Sequence, residues 1–206
     1  MTEFSTVASS NNNEGIEREP LSEGLHSAKC IGVFGIGTTI DKIYNIEKNQ
    51  VVIIFAVDEY IEIEGKKVPK TISRFFTLSL GKKANLRKAL EKWRGKEFTE
   101  EELEGFDVQK VLNAPAIVEI FHKEKEGKIK DYIGHITKID ERFKKDVPEI
   151  EALTEAPEWI IKLRSESIEA QPIPKKEIKK TIEPTKKTEV ISAKTEEIEE
   201  TEDIPF

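Results

Sequence analysis

A single cysteine, Cys30, stands in a chain of 206 residues, so no internal disulfide can staple the fold and a reducing compartment is the simplest setting. No apolar run reaches the roughly 18 residues of a membrane-crossing helix, and no charged segment leads into an apolar one at the N-terminus. Neither a membrane span nor a signal peptide is expected; the reading is a cytoplasmic protein with no membrane partner. Apolar residues are few, at 37% against 35% charged, which is too little to pack a core along the whole length. Catalytic signatures are missing too. There is no His-Glu-x-x-His, no Cys-x-x-Cys and no Gly-Lys-Ser/Thr phosphate loop.

The fragments that remain do not amount to chemistry. His26, His122 and His135 are scattered over predicted strands, and His26-x-x-x-Cys30 lacks further metal ligands. Gly32, Gly35 and Gly37 do not follow the Gly-x-Gly-x-x-Gly order of a dinucleotide loop, and no clear helix start follows them. Glu100, Glu101, Glu102 and Glu104 read as an exposed helix start that suits the helix dipole. The expectation is a non-enzyme, with no catalytic residue, no metal and no cofactor.

What the chain does have is charge, unevenly placed. Its net −7 divides into −3 over residues 1–20, +3 over 21–145 and −7 over 146–206. Within the middle part, Lys66 to Lys96 holds eleven Lys/Arg and one acid, Glu91, a net +10 over 31 residues. Phe75, Phe76 and Trp93 are interleaved with these cations. Cations track a phosphate backbone and flat rings stack on bases, a combination that suits single-stranded nucleic acid. The candidate contact residues are Lys70, Arg74, Phe75, Phe76, Lys82, Lys83, Arg87, Lys88, Trp93 and Arg94.

Periodicity gives the elements. GLHSAKCIGVFGIGTT from Gly24 reads as a strand whose internal glycines predict a bulge or a sharp coil. Val51 to Val57 (VVIIFAV) is a β-branched run predicting a strand buried on both faces, extended by Tyr60 to Ile63 and closed by a turn at Glu64-Gly65-Lys66. Lys70 to Leu80 alternates as a third strand. Ile72, Arg74, Phe76, Leu78 and Leu80 share the core parity, and Phe75 falls on the other face as the better stacking candidate. Ala84 to Trp93 is helical, with Leu86, Leu90 and Trp93 on one stripe and Gly95 as the stop. Thr99 and Glu102 form a capping box, and Phe106-Asp107 opens a short turn. Pro115 to Phe121 and Lys128 to Ile139 are the fourth and fifth strands, joined at Glu126-Gly127. Three strands, a helix and two strands are the element order of the OB-fold, a mainly β, five-stranded, partly open barrel with a helix between strands 3 and 4.

This barrel is expected over 21–145, after a disordered arm at 1–20. A short helix around Trp159, in 146–164, could dock on it. A disordered linker at 165–195 and an acidic tip at 196–206 follow. The tip places six acids between Glu196 and Asp203 and ends in Ile204-Pro205-Phe206. Glu202, Asp203, Ile204, Pro205 and Phe206 have the character of a peptide ligand. Phe206 can enter a pocket, its carboxylate can pair with a base, and the acids can steer the encounter.

That tip resembles the acidic Ile-Pro-Phe terminus of bacterial single-stranded DNA-binding proteins. The body, in AKCIGVFGIGT and in TISRFFTLSLGKKANLRKALEKWRGKEFTEEELEGFDVQKVLNAPAIVEIFH, is similar to a single-stranded DNA-binding protein of bacteriophages and prophages over roughly residues 25–140. The resemblance implies an OB-fold, binding to single-stranded DNA, and recruitment of replication, recombination and repair proteins through the tip. A homo-oligomer is compatible with these features. The alternatives are an RNA-binding OB module, which basic and aromatic composition does not separate from a DNA-binding one, and a protein-recruiting adaptor without strong nucleic-acid affinity.

Overall fold

The computed structural model describes residues 19–41 and 45–168. The expected arm (but for Glu19 and Pro20), the linker from residue 169 onward and the tip at 196–206 lie outside the described residues. The rest is mainly β. Five strands, β1 (Gly24–Asp41), β2 (Ile46–Ile63), β3 (Lys66–Thr77), β4 (Pro115–Lys125) and β5 (Lys128–Thr137), form one antiparallel sheet in the order β3-β2-β1-β4-β5. Helices α1 (Asn85–Arg94), α2 (Glu100–Glu104) and α3 (Glu158–Ser165) join 3₁₀ turns at Val108–Val111 and Glu141–Asp146. No helix among the described residues is long and apolar enough to cross a membrane.

Two turns set the hairpin registers. Glu64 and Gly65 have φ of 51° and 75°, Glu126 and Gly127 of 57° and 73°. Positive φ at both central positions, with glycine in the second, matches the right-handed twist of the flanking strands and closes each hairpin tightly. β3 accordingly begins at Lys66 and ends at Thr77, short of the expected Leu80. Leu78 lies past the strand end and is 46% exposed, so it leaves the core face that alternation gave it. Its N–H instead bonds the Asn49 carbonyl at 2.7 Å.

β2 is the common wall of two cores. Val51, Ile53, Phe55 and Val57 point into the larger core with Leu86, Leu90 and Trp93 of α1 and Val118 and Ile120 of β4. Val52, Ile54 and Ala56 point the other way, beneath Ile160 of α3 and the chain around Leu153. Every residue of Val51–Val57 is buried, and burying each Val, Ile or Phe side chain contributes about 1.5–3 kcal/mol.

The expected irregularities in β1 are present, as register shifts between Cys30 and Gly32 and between Gly35 and Gly37. Each bulge releases a carbonyl from the ladder. The Ile31 carbonyl accepts the Leu153 N–H at 2.7 Å, and the Gly35 carbonyl accepts Arg164 Nε at 2.7 Å. Lys29 Nζ adds a bond to the Ile150 carbonyl, also at 2.7 Å. The segment that could dock does so, strapped across the outer face of β1 and β2.

α1 follows its pattern: Leu86, Leu90 and Trp93 are buried, Lys92 and Arg94 lie in the last turn, and Gly95 ends it at φ 68°. The Thr99–Glu102 capping box is formed in both directions. Asp107 caps the 3₁₀ turn through Gln109 N–H at 2.9 Å.

Candidate nucleic-acid interface

The candidate residues divide by what already holds them. Trp93 is 5% exposed, its ring centroid 5.3 Å from that of Phe55 and its Nε1–H bonded to the Pro115 carbonyl at 2.8 Å. Its faces are spent on the core, which removes it from the set of stacking rings. Phe76, 3% exposed, is core as its parity indicated.

Four of the cations are likewise engaged. Lys70 Nζ lies 3.2 Å from Glu59 and 3.7 Å from Glu19. Arg87 Nε bonds Glu91 at 2.8 Å, one helical turn on. Arg94 donates to Glu102 and lies over both Phe98 and Phe106, 4.5 and 5.1 Å from their centroids. Arg74 is half-buried, its guanidinium 4.9 Å from the Phe76 centroid and its Nη1 donating to the Gly134 carbonyl at 2.7 Å. Burial lowers its pKa from the usual arginine range. These four fasten the fold first, and a phosphate would have to compete for them.

Phe75, Lys82, Lys83 and Lys88 remain. All are exposed, Phe75 at 43%, and the three lysines form no ion pair among the described residues. Phe75, Lys82 and Lys83 line a groove of about 740 Å³ between the ends of β1, β2 and β3 and the loop entering α1. Thr39, Lys48 and Gln50 also line it, with Thr39 Oγ1 bonded to Gln50 Oε1 at 2.9 Å. The groove is thus open, polar and basic, with one exposed ring at its edge. Among the described residues, no group of three or more His, Cys, Asp and Glu side chains could hold a metal ion.

Sequence reasoning missed two contributions here. Lys48 lines the same groove from outside the basic run. Trp159 of α3 packs edge-on against Phe75, with centroids 6.0 Å apart and planes at 64°. Only the docking of α3 brings that ring in, and no local pattern in β3 signals it.

No protein-family model matches the chain, and no curated protein matches it.

Proposed function

We propose that this chain is a sequence-tolerant single-stranded DNA-binding protein on an OB-type barrel, protecting single strands in the cytoplasm. The observation that carries the proposal is the groove in which exposed Phe75 stands beside Lys82 and Lys83, a stacking ring next to phosphate-binding cations. The barrel reading is supported by the strand order β3-β2-β1-β4-β5 and by the Arg74 side chain, which bridges the two outermost strands. Recruitment of replication, recombination and repair proteins through Glu202 to Phe206 completes the proposal. It rests on the composition of that segment and on its resemblance to the bacterial tip.

The test is anisotropy titration of labelled oligo-dT, oligo-U and duplex DNA of equal length across a salt series. Oligo-dT should bind with a site of about 4–16 nucleotides per barrel, and log affinity should fall by about 0.7 per log salt for each phosphate neutralised. Equal affinity for duplex, or no salt dependence, would overturn the proposal. Preference for oligo-U would make it an RNA-binding module, and no binding at low salt would leave an adaptor.

A further inference from the structure

Phe75 belongs to two surroundings at once. It lines the groove, and its ring meets that of Trp159 in α3, with centroids 6.0 Å apart and planes at 64°. Trp159 is not itself a lining residue of the groove. A phenylalanine on the outer face of a strand has more than one staggered position open to it. Two neighbours narrow that choice here. Val52 of β2 stands directly opposite Phe75 in the sheet, and Trp159 meets the ring from the strap. The ring contact is tilted rather than stacked, and Phe75 stays exposed.

Trp159 is itself held fast. Its neighbour Ile160 is fully buried in the second core, with Val52 and Ile54 of β2. Arg164 ties the end of α3 to the Gly35 carbonyl, and Leu153 ties the chain before α3 to the Ile31 carbonyl, each at 2.7 Å. The indole is kept in place without a hydrogen bond: its Nε1–H is buried and has no acceptor among the described residues. Trp93, by contrast, donates to the Pro115 carbonyl. A buried indole normally finds an acceptor, and leaving the donor unpaired is costly. What Trp159 contributes is therefore carried by the packing of its ring, and Phe75 is the ring it meets.

We infer that Trp159 is a positioning residue for the strand site, through which the docked strap fixes the Phe75 ring in advance of the base that stacks on it. The inference rests on the proposed function and adds a control to it, since the affinity of the groove then depends on a segment that does not line it. Ordering a side chain during binding lowers affinity, and a side chain already ordered avoids that loss. A strap that competed with the strand would instead have to lift. That would expose Val52, Ile54, Ala56 and Ile160, all 0–1% exposed, so the apolar cover favours a fixed support over a displaceable lid.

The experiment titrates oligo-dT into the full chain carrying Trp159→Phe or Trp159→Leu, each alone and together with Phe75→Leu, well below the melting temperature. Trp159→Leu should weaken binding about three- to tenfold. Its salt slope should stay that of the parent, because no phosphate contact is lost. Trp159→Phe should bind within about twofold of the parent, since a ring still meets Phe75. In the Phe75→Leu background neither change at Trp159 should weaken binding further, whereas a general loosening of the fold would act in both backgrounds. Emission gives a second reading. The chain has two tryptophans, and Trp93 is sealed in the core. Saturating oligo-dT should therefore change the emission of the parent and leave that of Trp159→Phe unchanged.

Parent-like affinity for Trp159→Leu would overturn the inference and leave the proposed function standing. So would an equal loss in the Phe75→Leu background, or the same emission response with and without Trp159. Tighter binding by Trp159→Leu would overturn it too, and make the strap a competitor of the strand. A parent that does not bind oligo-dT would overturn both.

Discussion

Arg74 of β3 donates from Nη1 to the main-chain carbonyl of Gly134 in β5, 60 positions further along the chain, at 2.7 Å. Those strands are the two ends of the sheet order, so this side chain links two strands that backbone pairing does not join. Arg74→Ala should therefore destabilise the protein by about 1.5–3 kcal/mol, the range for a charge-assisted bond. Arg74→Lys should recover only part, because an ammonium cannot lie flat on Phe76 while reaching the same oxygen. Urea unfolding reads both. An unchanged midpoint for the alanine variant would show that the bond contributes nothing net.

Neighbouring rings should separate cleanly. Phe76→Ala empties a buried site and should cost about 3–5 kcal/mol in stability. Phe75→Ala should cost about 0.5–1.5 kcal/mol through its edge contact with Trp159, while weakening oligo-dT binding by about 1–3 kcal/mol. Melts run beside titrations decide the matter. Normal binding by Phe75→Ala at saturating protein and low salt would remove it from the interface.

Lys82 and Lys83 give the cleanest electrostatic probe, because no ion pair among the described residues is lost with them. The double alanine variant should melt within about 0.5 kcal/mol of the parent. Its salt slope for oligo-dT should be shallower by about 0.7 for each lysine that meets a phosphate. A slope that does not move would place the strand elsewhere.

Cys30 is buried, and that burial pushes its thiol up to about 12 from 9.0. In the unfolded chain the thiol ionises above pH 9.0, whereas in the folded chain it stays protonated, so stability falls as pH rises through that window. The thiol's share of the loss between pH 7 and pH 10 should be about 1.4 kcal/mol. Cys30→Ala should lack this component even though it is less stable overall. Parallel pH profiles for parent and variant would rule it out.

Deleting Asp203 to Phe206 should end capture of replication proteins while changing oligo-dT affinity little, because five of the six acids remain. Deleting from Glu196 onward should also tighten DNA binding at low salt, by removing a tethered competitor whose effective concentration can reach about millimolar. Pull-downs and titrations on both truncations check the two claims separately. Retained capture by the shorter deletion would end the recruitment claim, and unchanged low-salt affinity in the longer one would end the competition claim.

Local rules were legible and long-range ones were not. Glu64-Gly65, Glu126-Gly127, the Thr99–Glu102 box and the β1 glycines each encode geometry within a few residues, and each appears where the sequence indicated. The VVIIFAV run announced burial on both faces, although not what covers the second face. The partners of Arg74, Arg94 and Lys70 are another matter. A cation run shows charge, but whether a given cation meets solvent or a carboxylate is decided by neighbours such as Glu59 and Glu102, brought in by the fold. Trp93 was placed on the buried stripe of α1 and also among the stacking rings, and a single ring cannot serve both.

The strap across β1 and β2 has a consequence for the order in which the molecule assembles. Its anchors join Lys29 to Ile150 and Gly35 to Arg164, 121 and 129 positions apart, whereas the hairpins close over a few residues. Loop closure on that scale comes late. Until it happens, a sheet already folded on its inner side shows Val52, Ile54 and Ala56 to water beside the bulged strand β1. Such a half-covered intermediate is the species most prone to aggregate. A shortened chain that stops at residue 145 would hold that state permanently.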